Sequence, residues 1–286
     1  MDTSHGSVVV GTDGSPRAIA AVMWAAGEAV LRDRPLHILH AAGLETRSGR
    51  NLTPETAQLV IDNGHAVLDE AAAAATTRYA DLTITTSLGK GKPADTLVDH
   101  SGPESLVVVG SRGLGGFQAL LLGSVGLRVA AHACGPVVIV RGSEHPSTGV
   151  VLAGLRDETD LATVRFAADE ARLRKATLRL LTAWSLLGAV GEMVPGLDDA
   201  RSVGDREAAA QQQVADRIRE EYPDLTVTVD LVNASSASGA LVDASAHADL
   251  LVAGAQRHRR SRGRLPHVTH ALLHHAHCPV AVFRHA

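Results

Sequence analysis

Two short stretches carry residues whose types and spacing point to ligand chemistry. Gly11-Thr12-Asp13-Gly14-Ser15-Pro16 follows the apolar run Val8–Val10, whereas Gly110 and Gly113 follow the run Ser105–Val109, with Gly123-Ser124 nine residues further on. In the first stretch Gly11 and Gly14 permit backbone turns closed to other residues, Ser15 suits a helix N-cap and Pro16 the first helical position. Those features alone describe a well-made strand-to-helix turn. Asp13 adds a carboxylate able to accept hydrogen bonds from sugar hydroxyls. In the second stretch the glycines let backbone N–H groups approach an anion. Ser124 adds a hydroxyl where a helix opens, and the unpaired donors and partial positive charge of a helix N-terminus favour phosphate. Glycines by themselves are equally consistent with tight helix-on-strand packing, and Gly115 and Gly116 need no other role.

The elements that must position these loops are legible as alternating patterns. Apolar runs at Val8–Val10, Leu36–His40, Leu82–Thr86, Ser105–Val109 and Pro136–Arg141 alternate with helix-like segments at about Pro16–Arg32, Pro54–Tyr79, Ala94–His100 and Ser124–His132. Aromatics are 2% of the 286 residues, which suits small-residue helices lying on Val-rich parallel strands. The pattern then repeats. WAAGEAVLRDRPLHILHAA from residue 24 matches FAADEARLRKATLRLLTAW from 166, and TLVDHSGPESLVVVG from 96 matches ALVDASAHADLLVAG from 240, at an offset of 142 to 144 residues. RGSEHPSTG, residues 141–149, separates the halves as a linker, with the boundary near Glu144. The expected architecture is α/β: two tandem, doubly wound, five-stranded parallel-sheet domains of Rossmann-like type, residues 1–143 and 149–286. In such sheets ligands sit beyond the carboxyl ends of the strands where strand order reverses, which selects the loops after the first and fourth strands.

Composition narrows the function. The 27 basic and 31 acidic residues leave a formal charge of −4, and no basic block with interleaved aromatics marks a nucleic-acid groove or a surface for anionic membrane. No apolar run approaches the roughly 18 residues of a membrane span, and the first residues lack a cationic stretch leading into an apolar one. A cytoplasmic protein is expected. Cys134 and Cys278 are too few for a disulfide framework. LGKGKPADT at 88–96 lacks the Gly-Lys-Ser/Thr ending of a P-loop, and no G-x-G-x-x-G follows the first strand, which disfavours Walker-type NTPases and dinucleotide-dependent dehydrogenases.

Gly110-x₂-Gly113-x₉-Gly123-Ser124 matches the G-x₂-G-x₉-G-[S/T] signature of ATP-binding universal stress proteins, and residues 5–142 resemble that family throughout. VVVGTDGSP, HILHA, the Gly-x-Pro-Ala of GKPADTL and the Cys-x-Pro-Val of CGPVVIVR carry the resemblance in order. It is closest in organisation to tandem-domain, actinobacterial-type members. The resemblance implies an adenine nucleotide, ATP with Mg²⁺, as ligand. Gly11 would be among the binding residues, Asp13 would bind the ribose or a neighbouring part of the nucleotide, the backbone around Ala41 would meet the adenine edge, and Gly110 and Gly113 would pass close to ribose and phosphate. Gly123, Ser124 and Val125 would hold the triphosphate. Gly126 stands where many members have a second small hydroxyl residue. The family also implies a homodimer, or a pseudo-dimer of the two domains through Val137–Val140 and Val280–Phe283, and an unidentified regulatory protein partner.

The second half departs from the signature. GLRDET, from Gly154 to Thr159, puts Leu155 or Arg156 where Asp13 stands, unless Asp157 shifts to replace it. Gly254 survives, Arg257 replaces the second glycine, and Pro266-His267 replaces Gly123-Ser124 in a loop one residue shorter. A proline has no N–H to offer. The expectation is a C-terminal domain that binds ATP weakly or not at all. Arg257, Arg259, Arg260, Arg262 and Arg264 are read as a solvated surface run. His258, His267, His270, His274, His275 and His277 are read as surface histidines, although His270 and His274 have a metal-pair spacing.

Ser124 has no adjacent histidine or lysine with a defined role, so phosphate ligation is favoured over nucleophilic catalysis. The reading is an ATP-binding, nucleotide-responsive regulator in stress response, not an enzyme. The alternatives are a nucleotide-independent interaction scaffold and a slow ATP hydrolase.

Overall fold

The computed structural model describes residues 6–44, 53–113, 122–141, 147–184, 197–256 and 265–285. The chain divides into two compact units, residues 1–143 with 261–265 and residues 144–260 with 266–286. In the first, β1 (Val8–Gly11), α1 (Pro16–Leu31), β2 (Leu36–Ala41), α2 (Pro54–Arg78), β3 (Ile84–Gly89), α3 (Pro93–Asp99), β4 (Leu106–Gly110), α4 (Ser124–His132) and β5 (Val137–Val140) alternate. All strand pairs are parallel, in the order β3-β2-β1-β4-β5. The order reverses at β1, between β2 and β4, and the loops after β1 and β4 therefore flank one crevice.

Local chemistry explains these elements. Ser15 accepts a hydrogen bond from the Ala18 amide at 3.2 Å and caps α1, while Pro16 supplies its first residue. Ala18, Ala21, Ala25, Ala26 and Ala29 form the buried face of α1, and residues this small let the helix lie close on the sheet. Under it Val8, Val9 and Val10 are wholly buried. The third strand lies two or three residues later than expected: Leu82 donates its amide to Tyr79 O in the turn after α2, and pairing with β2 runs from Leu36↔Ile84 to Ala41↔Gly89. An edge strand with exposed Thr85 and Thr86 gives little apolar pattern from which to set its ends.

The second unit repeats the first: β6 (Val150–Gly154), a 3₁₀ turn (Glu158–Asp160), α5 (Leu161–Arg174), β7 (Thr177–Trp184), α6 (Leu197–Glu221), β8 (Val227–Asn233), α7 (Ala237–Ser245), β9 (Leu250–Gln256), α8 (His267–His275) and β10 (Val280–His285). Its parallel order, β8-β7-β6-β9-β10, is the same topology. Details are duplicated too. Buried Glu28 of α1 pairs with the C-cap residue Arg32 at 2.7 Å, and buried Glu170 pairs with Arg174 in α5. Ser101 accepts the Cys134 amide at 3.0 Å, and Ser245 the His277 amide at 2.9 Å. Cys134 is exposed and Cys278 buried, and burial pushes the Cys278 thiol up to about 12. Among the described residues no helix is long and apolar enough to cross a membrane.

Asp249 fixes the entry to the second unit. Its carboxylate accepts from the Thr148 amide at 2.6 Å, the Gly149 amide at 2.8 Å, and the hydroxyls of Ser147 at 2.8 Å and Thr148 at 3.0 Å. Burial acts to raise its pKa, but these donors outweigh burial and hold it below the ordinary carboxylate value. A depressed carboxylate stabilises the fold above its unfolded pKa, near ~3.9, and that contribution disappears as pH falls through the lower folded value. Asp249→Asn should therefore cost about 1–2 kcal/mol near neutral pH and lose the corresponding acid sensitivity below about pH 4. Urea denaturation of the full chain at several pH values measures this; an unchanged midpoint at neutral pH would contradict it.

Candidate nucleotide-binding site

The loop after β1 is set by local bonds. Thr12 donates its amide to Leu39 O at 2.9 Å, which carries it one step past the strand. Gly14 then takes φ +77°, a left-handed conformation that favours glycine, and its amide donates to Thr12 Oγ1 at 3.2 Å. The Ser15 amide donates to Asp13 Oδ1 at 3.1 Å, holding the carboxylate across the turn. From the end of β2, His40 Nδ1 donates to Thr12 O at 2.9 Å and ties that loop to the neighbouring strand.

The loop after β4 meets it from the other side. Gly113 lies so close to Asp13 that a Cβ there would be 2.1 Å from Asp13 Oδ2. The Gly123 amide donates to Ser111 O at 2.8 Å, bringing the start of α4 back to the strand end. Gly123 is the N-cap residue of α4 and makes no side-chain cap bond, so among the described residues no capping side chain takes up the first amides of the helix. Arg112 stands in this loop. Burial, and then the like charge of Arg112, lower the pKa of Arg141 at the end of β5, so two guanidiniums are near one another here. Arg128 of α4 pairs with Asp95 of α3 at 2.8 Å.

Between these loops lies a cavity of about 350 Å³, within the range of small-molecule sites. Gly11, Asp13 and Ala41 line it from the β1 and β2 side, and Gly110, Gly113, Gly123, Ser124 and Val125 from the β4 and α4 side. The eight positions selected from sequence are thus brought together. Thr12, His40 and Arg112 also line it and were not selected. Each adjoins a selected residue; Arg112 lies inside the Gly110-x₂-Gly113 spacing, and His40 precedes Ala41.

Among the described residues the second unit lacks this arrangement. Leu155 donates its amide to Leu181 O at 3.0 Å, as Thr12 does to Leu39 O, and Thr182 Oγ1 donates to Leu155 O at 2.9 Å, as His40 does to Thr12 O. Leu155 is therefore the counterpart of Thr12, and Arg156 the counterpart of Asp13. Arg156 folds onto Asp160, with Nε at 3.0 Å and Nη2 at 2.7 Å from its two carboxylate oxygens, and this hydrogen bonding raises the Arg156 pKa despite burial. Asp157 stands one residue past that register and caps the 3₁₀ turn by accepting from the Thr159 amide at 2.8 Å. Pro266 occupies the N-cap of α8. His258, Gly115, Gly116 and the arginines from Arg257 to Arg264 lie outside the described residues. His270 and His274 rings approach to 4.6 Å on α8, and no group of three metal-ligating side chains occurs among the described residues.

The duplicate sorts the glycines. A Cβ at Gly11 or at Gly154 would lie 2.9 Å from Cδ1 of Leu97 or Leu241, respectively. A Cβ at Gly110 would meet Arg17 O at 3.1 Å, and one at Gly254 would meet Thr163 Oγ1 at 2.6 Å. Packing common to both units therefore accounts for Gly11 and Gly110, although both line the cavity. Gly123 differs, because a Cβ there would approach only Ser111 O at 3.6 Å and Arg112 Cα at 3.7 Å, ordinary contacts. Gly110→Ala should lower stability by about 1–3 kcal/mol. Gly123→Ser, which supplies a side-chain cap to α4, should leave stability unchanged or raise it by up to about 1 kcal/mol. Thermal denaturation of the two variants tests the sorting; equal losses would contradict it.

Comparison with known proteins identifies the family. The universal stress protein family model matches residues 5–141 and again 149–284. A universal stress protein of Mycobacterium tuberculosis is 35% identical over 271 residues, 90% of this chain and 86% of that protein. One of Mycobacterium bovis is 32% identical over 296 residues, 98% of this chain and 97% of that protein. The crystal structure of a universal stress protein from Archaeoglobus fulgidus has the same fold, with a TM-score of 0.69, 17% identity, and coverage of 100% of this chain and 99% of that one. The chain belongs to the universal stress protein family and carries two copies of the family domain in tandem.

Proposed function

We propose that the N-terminal domain binds an adenine nucleotide, ATP carried in with Mg²⁺, and that the C-terminal domain does not. One observation carries this reading. A single cavity joins a carboxylate, Asp13, on one loop to the uncapped start of α4 with Ser124 and Arg112 on the other, and the duplicate has Arg156 and Pro266 at the matching places. The donor set suits a triphosphate: the Ser124, Val125 and Gly126 amides, the Ser124 hydroxyl and the Arg112 guanidinium are anion ligands. Asp13, reached along the crevice, suits ribose hydroxyls. Asp13 is the acidic residue in the lining, so Mg²⁺ would be held chiefly by phosphate oxygens, with Ser124 Oγ as the available protein hydroxyl.

The site is read as a binding site, not a catalytic one. Its two potential bases, Asp13 and His40, belong to the β1 and β2 ends, and both already hold backbone bonds, whereas the hydroxyl of Ser124 opens the helix after β4. The biological role that follows is regulatory: nucleotide occupancy changes how the protein meets a partner in the stress response.

Isothermal titration of the full chain with Mg-ATP should give one site. Asp13→Ala and Gly113→Ala should weaken it by about tenfold or more, the second by displacing the Asp13 carboxylate. Gly123→Ser should also weaken it, because its hydroxyl takes up an amide that phosphate needs. Arg156→Ala should leave it unchanged. Two equivalent sites, or no affinity for adenine nucleotide, would overturn the proposal.

A further inference from the structure

We infer, on the adenine-nucleotide reading above, that the ion pair between Asp95 and Arg128 is a clasp that holds two walls of the cavity together and slows nucleotide release. α3 contributes Pro93, Thr96 and Leu97 to the lining, and α4 contributes Ser124, Val125 and Gly126. Both helices thus present their first turns to the ligand and lead away from it toward their C-terminal ends.

The two helices are tied at both ends. At the far end Ser101 Oγ, just past α3, accepts the amide of Cys134, just past α4, at 3.0 Å. At the cavity end Arg128 Nη2 meets Asp95 Oδ1 at 2.8 Å. Asp95 lies in the first turn of α3, between the lining residues Pro93 and Thr96. Arg128 comes four residues after Ser124, so the two share a face of α4, and a long helical side chain leans toward the N-terminus of its own helix. That lean brings the guanidinium toward the turn that lines the cavity, where it meets α3. Neither residue is part of the lining, so both act through the helices they belong to.

The duplicate separates the two ties. Ser245 Oγ accepts the His277 amide at 2.9 Å, so the far-end tie between α7 and α8 is kept. The helices also keep their register. Leu97 and Leu241 pack against Gly11 and Gly154, and the Leu127 amide donates to Gly123 O as the His270 amide does to Pro266 O. Gly239 and Ala271 therefore stand where Asp95 and Arg128 do, and neither carries a charge. Packing of the two helices does not require the pair, and the tie at the cavity end occurs in the unit that has the lining residues of the proposed site. The side chains of Arg128 and Asp95 are 55% and 44% exposed, which sets a modest strength for the contact. A modest contact that must open before the walls part is read directly in the release rate. Simple electrostatics predicts the opposite for Asp95, because a carboxylate near a triphosphate repels it and its removal would slow release.

Surface plasmon resonance of the immobilised full chain with Mg-ATP measures association and dissociation separately. Asp95→Ala and Arg128→Ala, the second copying Ala271 of the duplicate, should each raise the dissociation rate about two- to fivefold, the range an exposed ion pair supports. The double variant should be no faster than the faster single variant, because both substitutions remove the same contact. Asp95→Asn and Arg128→Gln, closer in shape, carry the expectation in the same direction should the alanine variants fold poorly. Dissociation that is unchanged in either single variant, slowed in Asp95→Ala, or raised additively in the double variant overturns the clasp while leaving nucleotide binding intact. Absence of Mg-ATP binding by wild type overturns the adenine-nucleotide reading, and this inference with it.

Discussion

The carboxylate of Asp13 stands where a side chain at residue 113 would begin. This steric constraint joins two loops that are far apart in sequence and makes each dependent on the other. Asp13 is turned toward the β4 loop by the Ser15 amide, and Gly113 leaves the room for it to do so. Either residue alone would be unremarkable, an acid in a strand-to-helix turn or a glycine after a strand. Together they keep a carboxylate on the wall of the cavity that the start of α4 also lines.

The rest of the architecture serves that meeting. The reversal of strand order at β1 places the two loops side by side. Alanines on α1 let the helix approach the sheet, so that Gly110 at the end of β4 passes within reach of Arg17 O. The tie from His40 to Thr12 O fixes the third corner of the site. The duplication shows which of these devices belong to the fold: the reversal, the small residues, the strand-end glycines and the tie occur in both units. The acid, the second glycine and the glycine N-cap occur in the first. The fold is present twice and this set of lining residues once, and the proposal of a single site rests on that difference.

Much of this was legible beforehand, and the parts that were not have physical reasons. The Ser-Pro start of α1 and the Val-rich central strands are local signals, and the structure places both as expected. The edge strand β3 was displaced in the sequence reading because its position is set by pairing with β2 rather than by burial of its own side chains. All eight site positions line the cavity, yet spacing could not separate Gly11 and Gly110, which packing explains, from Gly113 and Gly123. That separation depends on Leu97 and Arg17, residues remote in sequence. Sequence left Leu155 and Arg156 as rival counterparts of Asp13, and the shared backbone bond to the second strand decides for Arg156. His40 and Arg112 carry no motif of their own and become visible only when the strand ends are brought together.

The central claim is that one of the two domains carries a nucleotide site. Hydrogen exchange of the full chain with and without Mg-ATP tests it most directly, because it reports on both domains in one measurement. The account predicts slowed exchange in peptides covering residues 8–18 and the start of α4, with no change in peptides covering residues 150–162 and the start of α8. Equal protection in the two domains, or protection confined to the second, would contradict it.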